Sequence, residues 1–189
     1  VKSAPCIEPT DFGPMKAFAV EFYKNGKLLR NKIKNHPRYP YHLLREEMQE
    51  FILDKLQLLI ERKLIKGIGE NGTEYTVIAQ ILDLPKEILR LIQKFDFTKK
   101  NPKLIYINTG ETMISLQDSI LVTFLNLAGF DILFFVPTGY QSVENYFAEK
   151  LMEEHQIGEY KYDMQVPDLN NISTNSTRPS WRRKLFRRG

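Results

Sequence analysis

Two short apolar runs, Leu104-Ile105-Tyr106-Ile107 and Ile132-Leu133-Phe134-Phe135-Val136, constrain the fold of this chain more than any other feature. Each gives way at once to a small polar turn, Asn108-Thr109-Gly110-Glu111 after the first and Pro137-Thr138-Gly139-Tyr140 after the second. A helical pattern follows each turn. Continuous apolar strands joined by a helical crossover are neighbouring parallel strands covered on both faces. The stretch from Leu104 to Leu151 therefore reads as strand, loop, helix, strand, loop, helix. Both Thr-Gly turns then fall at the carboxyl ends of strands, the edge where open α/β sheets bind ligands.

Two parallel strands do not make a stable sheet by themselves. Further strands must come from Ala17–Tyr23, Tyr75–Leu82, Tyr160–Met164, a second chain or an upstream segment. The start at Val1, with no initiator Met and no signal-peptide pattern, fits a processed product or a fragment. At 189 residues the chain is long enough to bury a real core. No apolar run approaches the roughly 18–20 residues that span a bilayer. Cys6 is the lone cysteine, so an internal disulfide is excluded and a reducing cytoplasm is the simplest compartment. His36, His42 and His155 lie far apart and, with one Cys, give no zinc spacing.

The net charge of +4 is concentrated in the tail, where Arg178, Arg182, Arg183, Lys184, Arg187 and Arg188 fall together. The body is mildly acidic without them, so a pI near 9.0 says little about a nucleic-acid-binding fold. Residues 1–16, with Pro5, Pro9, Gly13 and Pro14, read as an irregular lead-in. Ala17–Tyr23 fits a helical turn or a strand. Leu43–Ile65 is the clearest helix, with Leu44, Met48, Phe51, Ile52, Leu56, Leu59 and Leu64 forming an apolar stripe near the 3.6-residue period. Gly67 and Gly69 stop it, and Asn71-Gly72 marks a turn. Tyr75–Leu82 fits a strand or a short helix, and a helix opening at Pro85 runs to about Phe95.

Between the two predicted strands, Ser115 and Asp118 form a capping-box pattern ahead of a helix that Gly129 ends. A last helix is expected from about Ser142 to Glu154, burying Val143, Phe147 and Leu151. Tyr160, Tyr162 and Met164 then alternate with charged residues as an edge strand would. Asn170–Ser180 has the composition of a disordered segment.

The candidate ligand-binding residues are Asn108, Thr109, Gly110, Glu111, Pro137, Thr138, Gly139, Tyr140, Ser142 and His155. Glycine lets a backbone approach a ligand, and a helix N-terminus after each turn would offer free N–H groups to an anion. Thr109, Thr138 and Ser142 add hydroxyls, while Glu111 and Asp118 are suited to a ribose or a metal. Ordinary capping chemistry accounts for the same residue types. Neither GxGxxG nor GxxxxGK[ST] is present. His155 enters through Glu153–Tyr160, which packs three carboxylates, a His and a Tyr after the last predicted helix. A polar helix end with a solvated His is the simpler account of that segment. No Ser or Cys nucleophile has a recognisable setting, and no cofactor is indicated.

Lys24–Arg45 carries seven basic residues and no acidic one, interleaved with tyrosines, a pattern that can neutralise phosphates and stack on bases. A solvated basic face explains it more simply, and nucleic acid is the disfavoured partner. Trp181–Arg188 mixes aromatic and basic residues and suits peripheral contact with an anionic membrane, or docking of the tail as one helical turn.

The chain resembles the bacterial YceG-like family of tellurium-resistance and general-stress operons, a component of a "biosynthetic module". Phe95–Ile107 carries the resemblance, with Phe124–Leu127, Gly129–Asp131, Phe135–Tyr140, Glu154–Tyr160 and the closing Phe186–Gly189. It runs from about Lys32 onward and matches the C-terminal part of a longer family member. It implies cytoplasmic stress physiology, small-molecule or nucleotide-like metabolism and protein partners from the same operon. It carries over no catalytic residue.

The combined reading is an α/β chain, with a helical N-terminal part followed by a Rossmann-like unit of at least two parallel strands. Its expected divisions are a mainly helical region over residues 1–100, an α/β unit over 101–168 and a basic, partly disordered tail over 169–189. The expected function is a ligand-binding component of a biosynthetic or detoxification pathway, taking an anionic small molecule or nucleotide. A non-enzymatic scaffold for protein or membrane partners and a nucleic-acid-binding module are the alternatives.

Overall fold

The computed structural model of the chain describes residues 13–94 and 101–166. All but Gln165 and Val166 of these belong to one compact unit, Cys6–Met164. The element order is α1 (Gly13–Phe22), β1 (Tyr23–Lys24), β2 (Lys27–Leu28), α2 (Arg30–Lys34), α3 (Glu46–Glu61), α4 (Thr73–Ile81), α5 (Lys86–Lys94), β3 (Lys103–Ile107), α6 (Leu116–Leu127) and β4 (Asp131–Phe135).

Helix α1 begins earlier than the proline content of its leading residues implied. Pro14 stands in the first turn, where its missing N–H costs nothing, so Gly13–Lys16 is helical instead of irregular. The helix runs into a hairpin whose turn is Asn25-Gly26, with φ of 53° and 80°. Positive φ at both central residues is what a two-residue hairpin requires, and Asn-Gly supplies it at low cost. The hairpin is pinned to α3 where the Leu28 amide donates to Gln57 Oε1 at 2.7 Å.

The predicted stripe of α3 is the centre of the helical layer. Its Ile52, Leu56 and Leu59 are each 0% exposed, as is Leu53, which the stripe did not include, and burying such a side chain contributes about 1.5–3 kcal/mol. The outer face of α3 meets the basic stretch before it. Arg30 reaches Glu50 and Asp54, each at 2.6 Å, and Lys34 pairs with Glu46 and Glu50. Lys32 pairs with Glu21 at 2.8 Å. Three of the basic side chains between Lys24 and Arg45 are thus matched by carboxylates of the same chain. Lys34 is held above its ordinary pKa by Glu46 and Glu50, and Glu50 is held below its own by Lys34 and Arg30.

After α3 the chain turns through Lys63 and Gly67, both at positive φ. A Cβ on Gly67 would strike the side chains of Asn71 and Thr73, so this close turn needs glycine. The ambiguous Tyr75–Leu82 segment is helical, as α4, and packs against α1, α3 and α6. Tyr41 is buried below it, donating to Ile81 O at 2.5 Å and accepting from Leu84 N at 3.0 Å. Neighbouring Tyr39 is as deeply buried, yet its hydroxyl has no hydrogen-bond partner among the described residues. Helix α5 follows Pro85 and buries Ile88 and Ile92.

Strands β3 and β4 pair in parallel, in the register Lys103↔Asp131 to Ile107↔Phe135. The connecting helix α6 has its predicted start. Ser115 Oγ accepts from the Asp118 amide at 3.0 Å and donates to the Asp118 carboxylate at 2.7 Å. From Ser119 to Leu125 every side chain of α6 is buried, because α3 and α4 pack on this helix as well as β4. Ser119 and Thr123 are accommodated by donating to the carbonyls of Ser115 and Ser119, each at 2.8 Å.

Three expectations are overturned, and the possible sources of further strands are narrowed. Among the described residues the sheet is covered on one face: Leu104, Ile132 and Phe134 pack on the core, while Ile105, Ile107, Leu133 and Phe135 are 36–52% exposed. None of Ala17–Tyr23, Tyr75–Leu82 and Tyr160–Met164 joins the pair, and the described residues contain two strands in this sheet. No helix forms over Ser142–Glu154. Its backbone is claimed by the segment after α3, through Lys66 N to Tyr146 O at 2.9 Å and Ala148 N to Leu64 O at 3.0 Å. Val143 and Phe147 are buried as expected, while Leu151 is 40% exposed. Lastly, Tyr160–Met164 is not an edge strand: its Lys161 amide bonds to Pro137 O in a loop. The basic tail, Asn170–Ser180 and the Asp96–Lys100 connection lie outside the described residues.

Candidate functional site

The parallel register places the ends of β3 and β4 side by side, and the ladder continues one step beyond them. The Asn108 amide donates to Phe135 O at 2.9 Å. From there the two loops are laced together by Asn108, whose Nδ2 donates to Ser142 Oγ at 2.9 Å and to Thr112 O at 2.8 Å. Its Oδ1 accepts from the Gly110 amide at 3.3 Å, a local turn that asparagine favours. Ile114 N donates to Ser142 O at 3.0 Å, a second tie across the edge. Ser142 is therefore buried within the lacing, and Thr138 is buried in the neighbouring turn.

Gly139 has φ +72°, and a Cβ there would overlap the ring of Tyr160. The glycine lets Tyr160 lie against the turn, and the neighbouring Lys161 amide bonds to Pro137 O at 2.9 Å. Gly110, Glu111, Gly139 and Tyr140 are exposed, and Thr109 is half-buried. Glu111 faces the Tyr140 hydroxyl and pushes its pKa above the ordinary value, because the carboxylate bonds to and repels ionisation of the phenol.

Nine of the ten sequence candidates thus gather at this edge. The tenth, His155, stands exposed with Nε2 3.6 Å from the Glu153 carboxylate, and no contact among the described residues ties it to the turns. It belongs to a shallow, open hollow formed by Lys150–His155. Tyr160 is the part of the Glu153–Tyr160 segment that reaches the edge. Thr112 and Lys161 take part through their backbones, a role no side-chain motif announces.

The electrostatics depart from those of a phosphate cradle. Among the described residues no helix follows β4 and α6 presents a helix N-terminus at this edge, where Ser115 Oγ already takes the Asp118 amide and the Asp118 carboxylate stands in the first turn. Tyr106 donates to the same carboxylate at 3.4 Å. The outermost ionisable groups of the two turns are Glu111 and Tyr140, neither of which attracts an anion. Among the described residues, no three His, Cys, Asp or Glu side chains converge as a metal site requires, and no helix is long and apolar enough to cross a membrane.

Comparison with known proteins places the chain. The YceG domain matches residues 1–177, so the likeness extends upstream of Lys32, while Phe186–Gly189 lies outside it. The uncharacterized protein YceG of Bacillus subtilis (strain 168) is 31% identical over 175 residues, covering 89% of this chain and 33% of the relative. The chain thus spans about a third of the length of that relative. No solved structure matches. A domain match over nearly the whole chain means that this protein belongs to the YceG family.

Proposed function

We propose that the laced edge at the ends of β3 and β4 binds a small, hydroxyl-rich, nucleoside-like ligand, and that β3–α6–β4 is part of a Rossmann-like layer. The observation that carries this reading is the pairing of exposed Glu111 with exposed Tyr140, on two loops that the Asn108–Ser142 hydrogen bond ties together. A carboxylate accepts hydrogen bonds from two neighbouring hydroxyls, as ribose-binding acidic residues do at such edges. The Tyr140 ring adds an apolar surface beside it. Asp118 at the α6 N-terminus and Glu111 at the rim disfavour a polyphosphate, which narrows the anionic or nucleotide-like ligand expected from sequence to its neutral part. The setting, a cytoplasmic stress response of tellurium-resistance type with operon-encoded partners, is carried over from the family resemblance alone.

Thermal-shift titration with nucleosides, free sugars and the matching nucleotides tests the proposal. A nucleoside at 100-fold its Kd should stabilise the protein by about 2.7 kcal/mol. The matching triphosphate should do less, and Glu111→Gln should remove most of the shift. No stabilisation by any of these compounds, or an undiminished shift in Glu111→Gln, would refute it.

A further inference from the structure

The exposed side of the sheet reads Lys103-Ile105-Ile107 beside Asp131-Leu133-Phe135, in register. A Lys103–Asp131 ion pair of 2.7 Å closes one end. Above it the four apolar side chains stand 52%, 36%, 50% and 47% exposed. Parallel strands are found with both faces covered, because their crossover connections lay helices on both sides. Here α6 covers one face. The residues on the other have the chemistry of a second buried face and have no cover among the described residues.

We propose that this face is the seat of an amphipathic helix supplied by the remainder of a longer YceG polypeptide. Two observations select that occupant. The match takes up 33% of the Bacillus subtilis relative, so most of that relative's chain lies outside it and is available to complete the layer. The patch is also too small for a stable homodimer. Four half-exposed side chains offer on the order of 300–400 Å², against about 800 Å² per partner in a standard interface. A helix tethered in the same chain needs no such area, since its effective concentration replaces the cost of association. Its apolar stripe meets Ile105, Ile107, Leu133 and Phe135, and polar residues at one end meet Lys103 and Asp131. This assignment is independent of any ligand at the loop edge.

A benzophenone side chain placed in full-length Bacillus subtilis YceG, at the position aligned with Leu133, tests it. Irradiation should give an intramolecular cross-link to an apolar-striped helical peptide outside the matched third, at a yield independent of protein concentration. Cross-links between copies, cross-links to the segment aligned with residues 167–189, or no protein cross-link at all would each overturn the assignment. Amide exchange guards against a folding defect caused by the probe. In the unmodified full-length relative, peptides aligned with β3 and β4 should exchange at least ~10-fold more slowly than the same strands of this chain. Equal rates would overturn it too.

Discussion

Leu56 in α3 and Leu133 in β4 are the same residue in opposite circumstances: one is wholly withdrawn from solvent and the other stands half exposed. The helical layer satisfies its own apolar surface, since α3 packs against α4 and α6, and α4 against α1 and α6. The sheet satisfies one face with α6, and its other apolar face has no cover among the described residues. Apolar content alone therefore does not locate the core of this chain. What separates the regions is whether the described residues supply a second layer, and that difference is what the proposed helix would remove.

Substitution should expose that contrast at its widest. Leu56→Ala removes a side chain from a closed core and should cost about 2–5 kcal/mol, a fall in Tm on the order of 5–15 °C. Leu133→Ala, on the bare face, should stay within about 0.5 kcal/mol of the parent. Calorimetry of both variants checks the pair. A large loss at Leu133 would mean that the sheet face is already covered in this chain.

A finer version lies within the helical layer. Tyr41→Phe strands Ile81 O and Leu84 N in the interior and should cost about 1–3 kcal/mol. Tyr39→Phe removes a buried hydroxyl that has no partner among the described residues and should be neutral or slightly stabilising. The two tyrosines also set an alkaline limit. Burial pushes Tyr39 up to about 12 and raises Tyr41 as well. The folded state then holds protons that the unfolded state releases near pH ~10, so stability is intact below that pH and falls as pH rises toward 12. Denaturant melts from pH 8 to 11.5 should show this decline, shallower in Tyr39→Phe.

Local signals in the sequence were reliable where the structure is local. The α3 stripe, Pro85 ahead of α5, the Ser115–Asp118 cap and both parallel strands stand within a residue or a few of their expected places. Asn25-Gly26 is an equally local signal, but its two-residue strands are too short to show an alternating pattern within the basic stretch. Failures came where distant backbone intervened. Val143, Phe147 and Leu151 have helical spacing, but the bridge between Ile65 and Phe147 ties that segment into a path of turns and bends. No local pattern announces such a partner. At the loop edge the side-chain types were legible, whereas the lacing by Asn108 depends on two loops meeting, which only the parallel register brings about.

Native-state hydrogen exchange on this chain addresses the contrast most directly. If the helical layer is complete and the sheet is not, buried amides of α3 and α4 should exchange only through global unfolding. Those of Lys103–Ile107 and Asp131–Phe135 should then exchange at least ~10-fold faster, through local opening. Protection of both strands at the level of α3 would contradict the account, for it would show that this chain already holds its sheet closed.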